Sequence, residues 1–177
     1  TDVVQENGLT LAYIQKKNRT DELCNLAIQQ NGLALRYYPK EKLTPEICEL
    51  AVRNNGLALQ HVPVILRSEA LCKIAVEQNG MALSSVPRPL RTQEMSHLAV
   101  EKDSKALHFV PGSFKTKELC ELAIRKNGLV LYAVPTALKT LEIYKIAIQN
   151  DGAAIKFLPY KFRGNDMYML ALQNNPK

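Results

Sequence analysis

Residues 20–43 read TDELCNLAIQQNGLALRYYPKEKL, and this pattern returns every 24 residues along the 177-residue chain. A fixed period of this length is typical of repeat proteins, in which each unit packs mainly against its neighbours. Roughly seven copies tile the chain without an insertion. The strictest positions are a glycine slot and a proline slot: Gly8, Gly32, Gly56, Gly80, Gly128 and Gly152, with Ser104 in one copy, and Pro39, Pro63, Pro87, Pro111, Pro135 and Pro159.

Two repeat folds are compatible with this period, a leucine-rich horseshoe and a helical repeat. Leu23, Leu26 and Asn31 satisfy part of the leucine-rich pattern. The horseshoe would leave the position after Leu26 pointing outward from a strand and free to vary. That position is alanine in every copy: Ala27, Ala51, Ala75, Ala99, Ala123, Ala147 and Ala171. A fixed alanine four residues after a leucine indicates a close contact on one face of a helix, so we predict helices.

Capping signals predict a long and a short helix in each repeat. Thr20 and its equivalents precede the apolar run, where a hydroxyl can accept from an unpaired N–H of the first turn. Asn-Gly or Asp-Gly then ends the long helix, and we expect the glycine to supply a left-handed conformation there. A shorter helix, for example Leu33 to Tyr38, follows and ends at the proline. The asparagine before each glycine is expected to serve in capping or in hydrogen bonds between repeats.

The predicted fold is therefore all-α, an α-solenoid of about seven 24-residue helix-hairpin repeats. We expect residues 1–177 to form a single helical-repeat domain. Thr1 to Glu6 resembles the tail of a long helix, and residues 166–174 read as a long helix without a short partner. Met169 and Leu172 would leave one side of that last helix uncovered, so we expect the chain to be a fragment of a longer protein.

The run LCELAIRKNGL at residues 119–129, followed by Val134-Pro135 and by Leu138-Lys139-Thr140, resembles tandem helical repeats known only as a domain of unknown function. Its Ala-Val-x-x-Asn-Gly-x-Ala-Leu core extends the resemblance over nearly the whole chain. The departures are Asp103-Ser104-Lys105, Tyr144, Tyr168 and Gly164. Members of that family occur in intracellular bacteria, including secreted effectors, and in protists. The resemblance implies a cytoplasmic module, in the host cytosol if the protein is a secreted effector, and it implies no chemistry.

Motifs for catalysis or for cofactors are missing from the sequence. Cys24, Cys48, Cys72 and Cys120 share one repeat slot, which predicts reduced packing residues rather than disulfides or a metal site. The three histidines fall in different contexts without a paired spacing, and no phosphate loop or nucleophile elbow occurs. We therefore expect no catalytic residues, no cofactor and no metal, and we expect that this chain is not an enzyme. Whether the full-length protein is an enzyme stays open.

Basic residues recur just before the capping slot: Arg19, Arg67, Arg91, Lys115, Lys139 and Arg163. Such a ladder could follow a phosphate backbone, which makes nucleic acid a possible partner. An acidic residue lies three positions after five of these six, so we expect an alternating edge of solvated ion pairs instead. The net charge of +6 is too small to decide between the two.

Function is expected where the copies disagree, because the shared positions already serve packing or capping. These are the exposed slots of the short helices, and together they predict a protein-binding surface. The candidate partner-binding residues are Arg36, Tyr37, Gln60, His61, His108, Phe109, Tyr132, Lys156 and Phe157.

The predicted function is a non-catalytic protein–protein interaction scaffold. A more specific prediction is that this scaffold is the binding or targeting module of a bacterial effector. The alternatives are a nucleic-acid-binding helical repeat and a regulatory segment of an enzyme whose catalytic domain lies outside this chain. No membrane span is expected, since no run of 18 apolar residues occurs. The sequence leaves the oligomeric state open.

Overall fold

The computed structural model describes residues 7–174, and within this range every regular element is helical and no strand occurs. This confirms the all-α fold class and excludes the leucine-rich horseshoe. The α-helices are α1 (Asp21–Gln30), α2 (Pro45–Asn54), α3 (Glu69–Gln78), α4 (Gln93–Lys102), α5 (Lys117–Lys126), α6 (Leu141–Asn150) and α7 (Asn165–Gln173). Each begins 24 residues after the one before, so the period of the sequence is the structural repeat. The interpretation of Thr1 to Glu6 as the tail of a helix lies outside the described residues.

The short helices of the repeats are 3-10 helices. Each connection between α-helices holds a six-residue 3-10 helix and then a three-residue one after the proline, where the sequence predicted a single short helix. A segment this short between Asn-Gly and proline is better suited to i→i+3 hydrogen bonds than to the α-helical ladder. The six-residue helices are Gly8–Tyr13, Gly32–Tyr37, Gly56–His61, Gly80–Ser85, Ser104–Phe109, Gly128–Ala133 and Gly152–Phe157. The three-residue helices are Lys16–Asn18, Lys40–Lys42, Val64–Leu66, Arg88–Leu90, Gly112–Phe114, Thr136–Leu138 and Tyr160–Phe162.

Side-chain caps fix the starts of the α-helices and of the six-residue helices, as predicted, except at α7, where Gly164 in the capping slot offers no side-chain acceptor. The hydroxyl of Thr20 accepts from the N–H of Leu23 at 3.3 Å and so caps α1. The side chain of Asn31 accepts from the N–H of Leu33 at 3.0 Å and so caps the six-residue helix that follows. The predicted capping role of the asparagine column is therefore confirmed, and the cap belongs to the start of the short helix.

The expected left-handed glycine is wrong, because no described residue has a positive φ. The glycine is required instead by the approach of the next repeat. A Cβ on Gly32 would overlap the carbonyl oxygen of Ala51, and one on Gly128 would overlap that of Ala147. The fixed glycine and the fixed alanine are thus the two sides of one backbone contact between neighbouring copies.

The chain divides into two compact units, residues 1–95 and 96–177, and the division falls inside α4. Within each unit, a six-residue helix packs against the α-helix before it and the α-helix of the next repeat. The alanine column is buried between them, and Ala27, Ala51, Ala123 and Ala147 have no exposed surface. Each unit therefore consists of stacked repeats, as in α-solenoids. That residues 1–177 act as a single domain stays a prediction.

An asparagine at the end of two α-helices makes a pair of hydrogen bonds between repeats that the sequence pattern did not predict. The Oδ1 of Asn54 accepts from the N–H of Gly32 at 2.6 Å, and its Nδ2 donates to the carbonyl of Gln29 at 2.8 Å. Asn150 makes the same pair of bonds, to Gly128 and to Arg125, at 2.6 and 2.7 Å. Both ends of the amide are therefore used to hold one repeat against the preceding one.

The four cysteines are buried free thiols, in line with the predicted packing role. Burial raises the pKa of each thiol above 9.0, and for Cys72 to about 11. A thiol held in its protonated form is a poor nucleophile. Ser96 fills the same slot in α4 and is also fully buried, and Tyr144 fills it in α6 with 4% exposure, so the slot does not require a thiol.

Candidate partner-binding strip

The candidate residues occupy the last two positions of the six-residue helices, which we call the strip. In the helix Gly32–Tyr37, Ala34 and Leu35 are buried, and Tyr38 just beyond it is buried as well. Arg36 is therefore exposed and Tyr37 is half-buried. The same alternation holds in the other copies, with exposed positions at Gln60, Ser84, His108, Tyr132 and Lys156 and half-buried ones at His61, Ser85, Phe109, Ala133 and Phe157.

In the second unit, the strip brings aromatic rings of three successive repeats into one row. The ring centroids of His108 and Tyr132 are 5.8 Å apart, and those of Tyr132 and Phe157 are 6.5 Å apart. Phe109 meets the edge of His108 at 5.0 Å. Tyr132, in the middle of the row, is 51% exposed. Neighbouring rings that are partly exposed offer apolar contact area at low conformational cost, which is how aromatic residues act at protein interfaces.

The cation of Lys156 lies 5.0 Å from the ring centroid of Phe157, so the row ends in a positive charge. Lys156 itself is exposed. The candidate residues of the second unit, His108, Phe109, Tyr132, Lys156 and Phe157, are therefore brought together on one surface, as the sequence predicted. Whether this surface binds a partner stays a prediction.

In the first unit, the strip is cationic around one tyrosine. The guanidinium of Arg19 lies 5.5 Å from the ring centroid of Tyr37, and that of Arg36 lies 5.2 Å from it. Burial, and after it the charge of Arg36, lowers the pKa of His61 below 6.5, so the imidazole is neutral at physiological pH. Gln60 precedes His61 and is exposed.

A cleft of about 610 Å³ opens beside Tyr37, lined by four cations and one carboxylate. The cations are Lys16, Arg19, Arg36 and Lys40, and the carboxylate is that of Glu41. A smaller cavity of about 320 Å³ adjoins it, because Arg36 and Lys40 also line that space together with His61 and Arg67. Of the residues around these two spaces, Arg36, Tyr37 and His61 were predicted from the sequence, whereas Lys16 and Lys40 were not, because they lie on the unpredicted three-residue helices.

The basic ladder has a structural role that neither sequence interpretation foresaw. The guanidinium of Arg67 donates from Nε to the carbonyl of Val62 at 2.9 Å, from Nη2 to that of Gln60 and from Nη1 to that of Ser85. The first two carbonyls end the short helix of the same repeat, and the third ends that of the next repeat. These groups have no partner within a short helix, so the planar fork of arginine satisfies them and joins two repeats.

Hydrogen bonds of this kind from a basic side chain to the carbonyls at the end of a short helix, which we call the clamp, recur at other positions of the ladder. Arg19 donates to the carbonyls of Ile14, Ala12 and Tyr37. Arg91 and Arg163 each donate to two carbonyls of the short helix before them. Lys115, which has one nitrogen, donates to the carbonyl of Ala133 at 2.9 Å, and burial lowers its pKa below 10.5. The ladder is half-buried throughout, so the expected open edge of solvated charges is wrong.

The acidic residues of the first turns serve the helix starts. The carboxylate of Glu118 accepts from its own N–H and from the hydroxyl of Thr116, and these bonds lower its pKa below 4.5. Glu142 pairs with Lys117 of the preceding repeat at 3.5 Å. The described ion pairs include none between a ladder residue and the acid three positions later at Arg19, Lys115 or Arg163.

Residues 7–174 contain no group of three side chains able to hold a metal ion. His97 lies 3.5 Å from Glu101 one turn along α4, as an exposed pair. Among the helices of the described chain, none has both the length and the apolar character of a membrane span.

Comparison with known proteins finds a family match for one segment of the chain. Residues 44–91 match the family described as a domain of unknown function, DUF4116. The match covers 48 residues, which is two successive 24-residue repeats, so the resemblance drawn from the repeat signature is confirmed for this segment. No curated protein matches the chain significantly, and no solved structure does.

Proposed function

We propose that this chain is a non-catalytic scaffold that binds another protein through the strip. The observation that carries the proposal is the row of rings formed by His108, Tyr132 and Phe157 on the exposed side of three successive repeats. The repeats are alike in their caps and core and differ in what they present at the strip. A rigid support that displays variable side chains is the arrangement that helical-repeat proteins use for recognition.

The test compares two double variants of the second unit that have the same composition. Tyr132→Ala with Lys156→Ala removes the middle of the row and its terminal charge, and both residues are exposed. Tyr160→Ala with Lys161→Ala removes an 86% exposed tyrosine and an exposed lysine from the three-residue helix outside the strip. Immobilised protein is used to recover partners from cell extract, and recovered proteins are identified by mass spectrometry.

The first variant is expected to lose the partner and the second to keep it, with unchanged circular dichroism and melting temperature for both. Equal recovery by the two variants would remove the strip from consideration. If the first variant loses helicity, Tyr132→Phe is tested in its place. This variant keeps the ring and is expected to recover the partner.

The nucleic-acid alternative is less well supported because the ladder on which it depended is engaged within the protein. Arg19, Arg67 and Arg163 use their donors on backbone carbonyls, which leaves fewer of them for phosphates. Anisotropy of labelled RNA and DNA, titrated with protein at low salt, tests this alternative, because binding to phosphates weakens steeply as salt is added. Absence of binding at low salt would eliminate it.

The finer proposal places the scaffold in a bacterial effector as its binding or targeting module, working in the cytosol of a host cell. It rests on the occurrence of similar repeats in such proteins. The alternative assigns the chain to a regulatory segment of an enzyme whose catalytic part lies elsewhere. Fractionation of host cells that express the full-length protein, with and without residues 7–174, tests targeting: deletion should change the compartment, whereas an unchanged distribution contradicts the targeting role.

A further inference from the structure

The cleft beside Tyr37 gathers more positive than negative side chains. Lys16, Arg36 and Lys40 line it together with one carboxylate, that of Glu41, and none of the three cations forms an ion pair with Glu41 or with another described residue. Lys42 and Arg53 of the same unit, in contrast, are paired, with Asp21 at 2.8 Å and with Glu49 at 2.7 Å. Like charges around one cleft repel each other, and an anion bound there would relieve that repulsion.

Arg36 is positioned to act as the centre of such a site. Its guanidinium lies 5.2 Å from the ring centroid of Tyr37, a contact that uses no N–H donor. The donors of Arg19, in contrast, are engaged by three carbonyls, so this residue contributes charge and holds the wall of the cleft. A guanidinium fork with free donors matches a carboxylate, which it binds through two parallel hydrogen bonds.

The positive charge is local and does not continue along the repeats. The positions equivalent to Arg36 in the next two copies are Gln60 and Ser84, and those equivalent to Lys40 are Val64 and Arg88, so the cluster of cations is not repeated in either copy. A nucleic acid would need a contact in each successive repeat. A cleft confined to neighbouring repeats, with Tyr37 and Pro39 as an apolar wall, fits one short segment that carries a few negative charges.

We propose that this cleft binds an acidic peptide segment of a protein partner, with aspartate or glutamate carboxylates on Arg36, Lys16 and Lys40 and an apolar or aromatic side chain against Tyr37. The inference rests on the proposed protein-binding function and names the chemistry of the partner at the first unit. It does not depend on the row of rings in the second unit, so the two can fail separately.

The experiment uses a fluorescein-labelled peptide with four glutamates around one tyrosine as the probe, and fluorescence anisotropy with the full chain. The site variant is Arg36→Gln with Lys40→Gln. The control is Lys17→Gln with Lys73→Gln, which removes the same charge from exposed residues of the first unit outside the cleft. The matched peptide in which glutamine replaces glutamate reports on the need for negative charge, and a labelled oligothymidylate of equal charge reports on nucleic acid.

The wild type and the control are expected to bind the acidic peptide, and the site variant to bind it about tenfold or more weakly. The glutamine peptide should not bind. Equal weakening in the two variants would assign binding to net charge and overturn the site, as would equal or tighter binding of the oligothymidylate. Absence of binding by the wild type would also overturn it, while loss of partner recovery on Tyr132→Ala with Lys156→Ala would still support the scaffold. Circular dichroism of the site variant checks its fold, and Arg36→Lys alone should weaken binding less than the double change.

Discussion

Gly128 and Ala147 face each other across neighbouring repeats so closely that a Cβ on the glycine would overlap the alanine carbonyl oxygen. The separation of 19 residues is the same for Gly32 and Ala51 and for Gly56 and Ala75. The obstacle is backbone, which can move only if the α-helix of the next repeat moves. Glycine is therefore favoured for the space it leaves, at a position whose φ any residue could adopt, and the copy with Ser104 in this slot has to fit a Cβ and a hydroxyl into the same contact.

Gly128→Ala is expected to destabilise the protein by about 1–3 kcal/mol, the cost of overpacking a close contact. The matched control is Gly112→Ala in the same unit, because nothing lies within 4 Å of a Cβ built there. That variant should leave stability unchanged or raise it by about 0.4–1 kcal/mol through the entropy of the unfolded chain. Urea unfolding followed by circular dichroism measures both. Equal stability of the two variants would contradict the close contact.

Arg67→Gln is expected to cost about 2 kcal/mol, because three carbonyls at the ends of two short helices lose a charged donor. The control is Arg53→Gln, which removes an ion pair with Glu49 on the exposed face of α2. Exposed pairs of this spacing contribute about 0.3–0.5 kcal/mol. Urea unfolding of the two variants should therefore differ clearly, and a similar small loss in both would show that the clamp is unimportant.

Lys115→Arg is expected to stabilise the second unit by about 0.5–1.5 kcal/mol, since a guanidinium can reach the carbonyls that one ammonium leaves unbonded. Arginine also keeps its charge in a half-buried position, where burial lowers the pKa of lysine. Lys145→Arg on the exposed face of α6 is the control and should change little. A melting temperature that falls for Lys115→Arg would mean that this repeat has no room for the clamp.

The sequence predicted the parts of the fold that depend on local chemistry. Thr20 and Asn31 cap helices that begin within three residues of them, so the pattern alone locates both helix starts. The recurrent alanine indicated a close contact, and the structure places it against the glycine of the preceding repeat. These predictions hold because capping and the helical period act over a few residues.

The sequence failed where a residue acts across repeats. Gly32 was interpreted from the conformation of its own backbone, whereas the group that leaves no room for a Cβ is the carbonyl of Ala51, 19 residues later. Arg67 was interpreted as an exposed charge, whereas its partners lie 5, 7 and 18 residues away. The cleft beside Tyr37 was missed for the same reason, since Lys16 and Lys40 are brought together only by stacking.

The buried thiols are expected to be unreactive in the native state and to make stability depend on alkaline pH. Burial raises the pKa of Cys72 from 9.0 to about 11, so folding favours the protonated thiol. Its contribution to stability is complete below pH 9 and is lost as pH rises towards 11. Cys72→Ser, which copies the buried Ser96 of the next repeat, should lose less stability between these two pH values than the wild type. An identical alkaline loss in Cys72→Ser would assign the pH dependence to other groups.

Thiol labelling tests the predicted lack of reactivity directly. Labelling with a disulfide reagent at neutral pH should be slow for the native wild type and complete after unfolding in urea, because only the thiolate of an accessible cysteine attacks the reagent. The control is Ser84→Cys, on the exposed side of the strip, which should add one rapidly reacting thiol. Rapid labelling of the native wild type would show that the repeats open readily, since Cys24, Cys48, Cys72 and Cys120 are all buried in the closed stack.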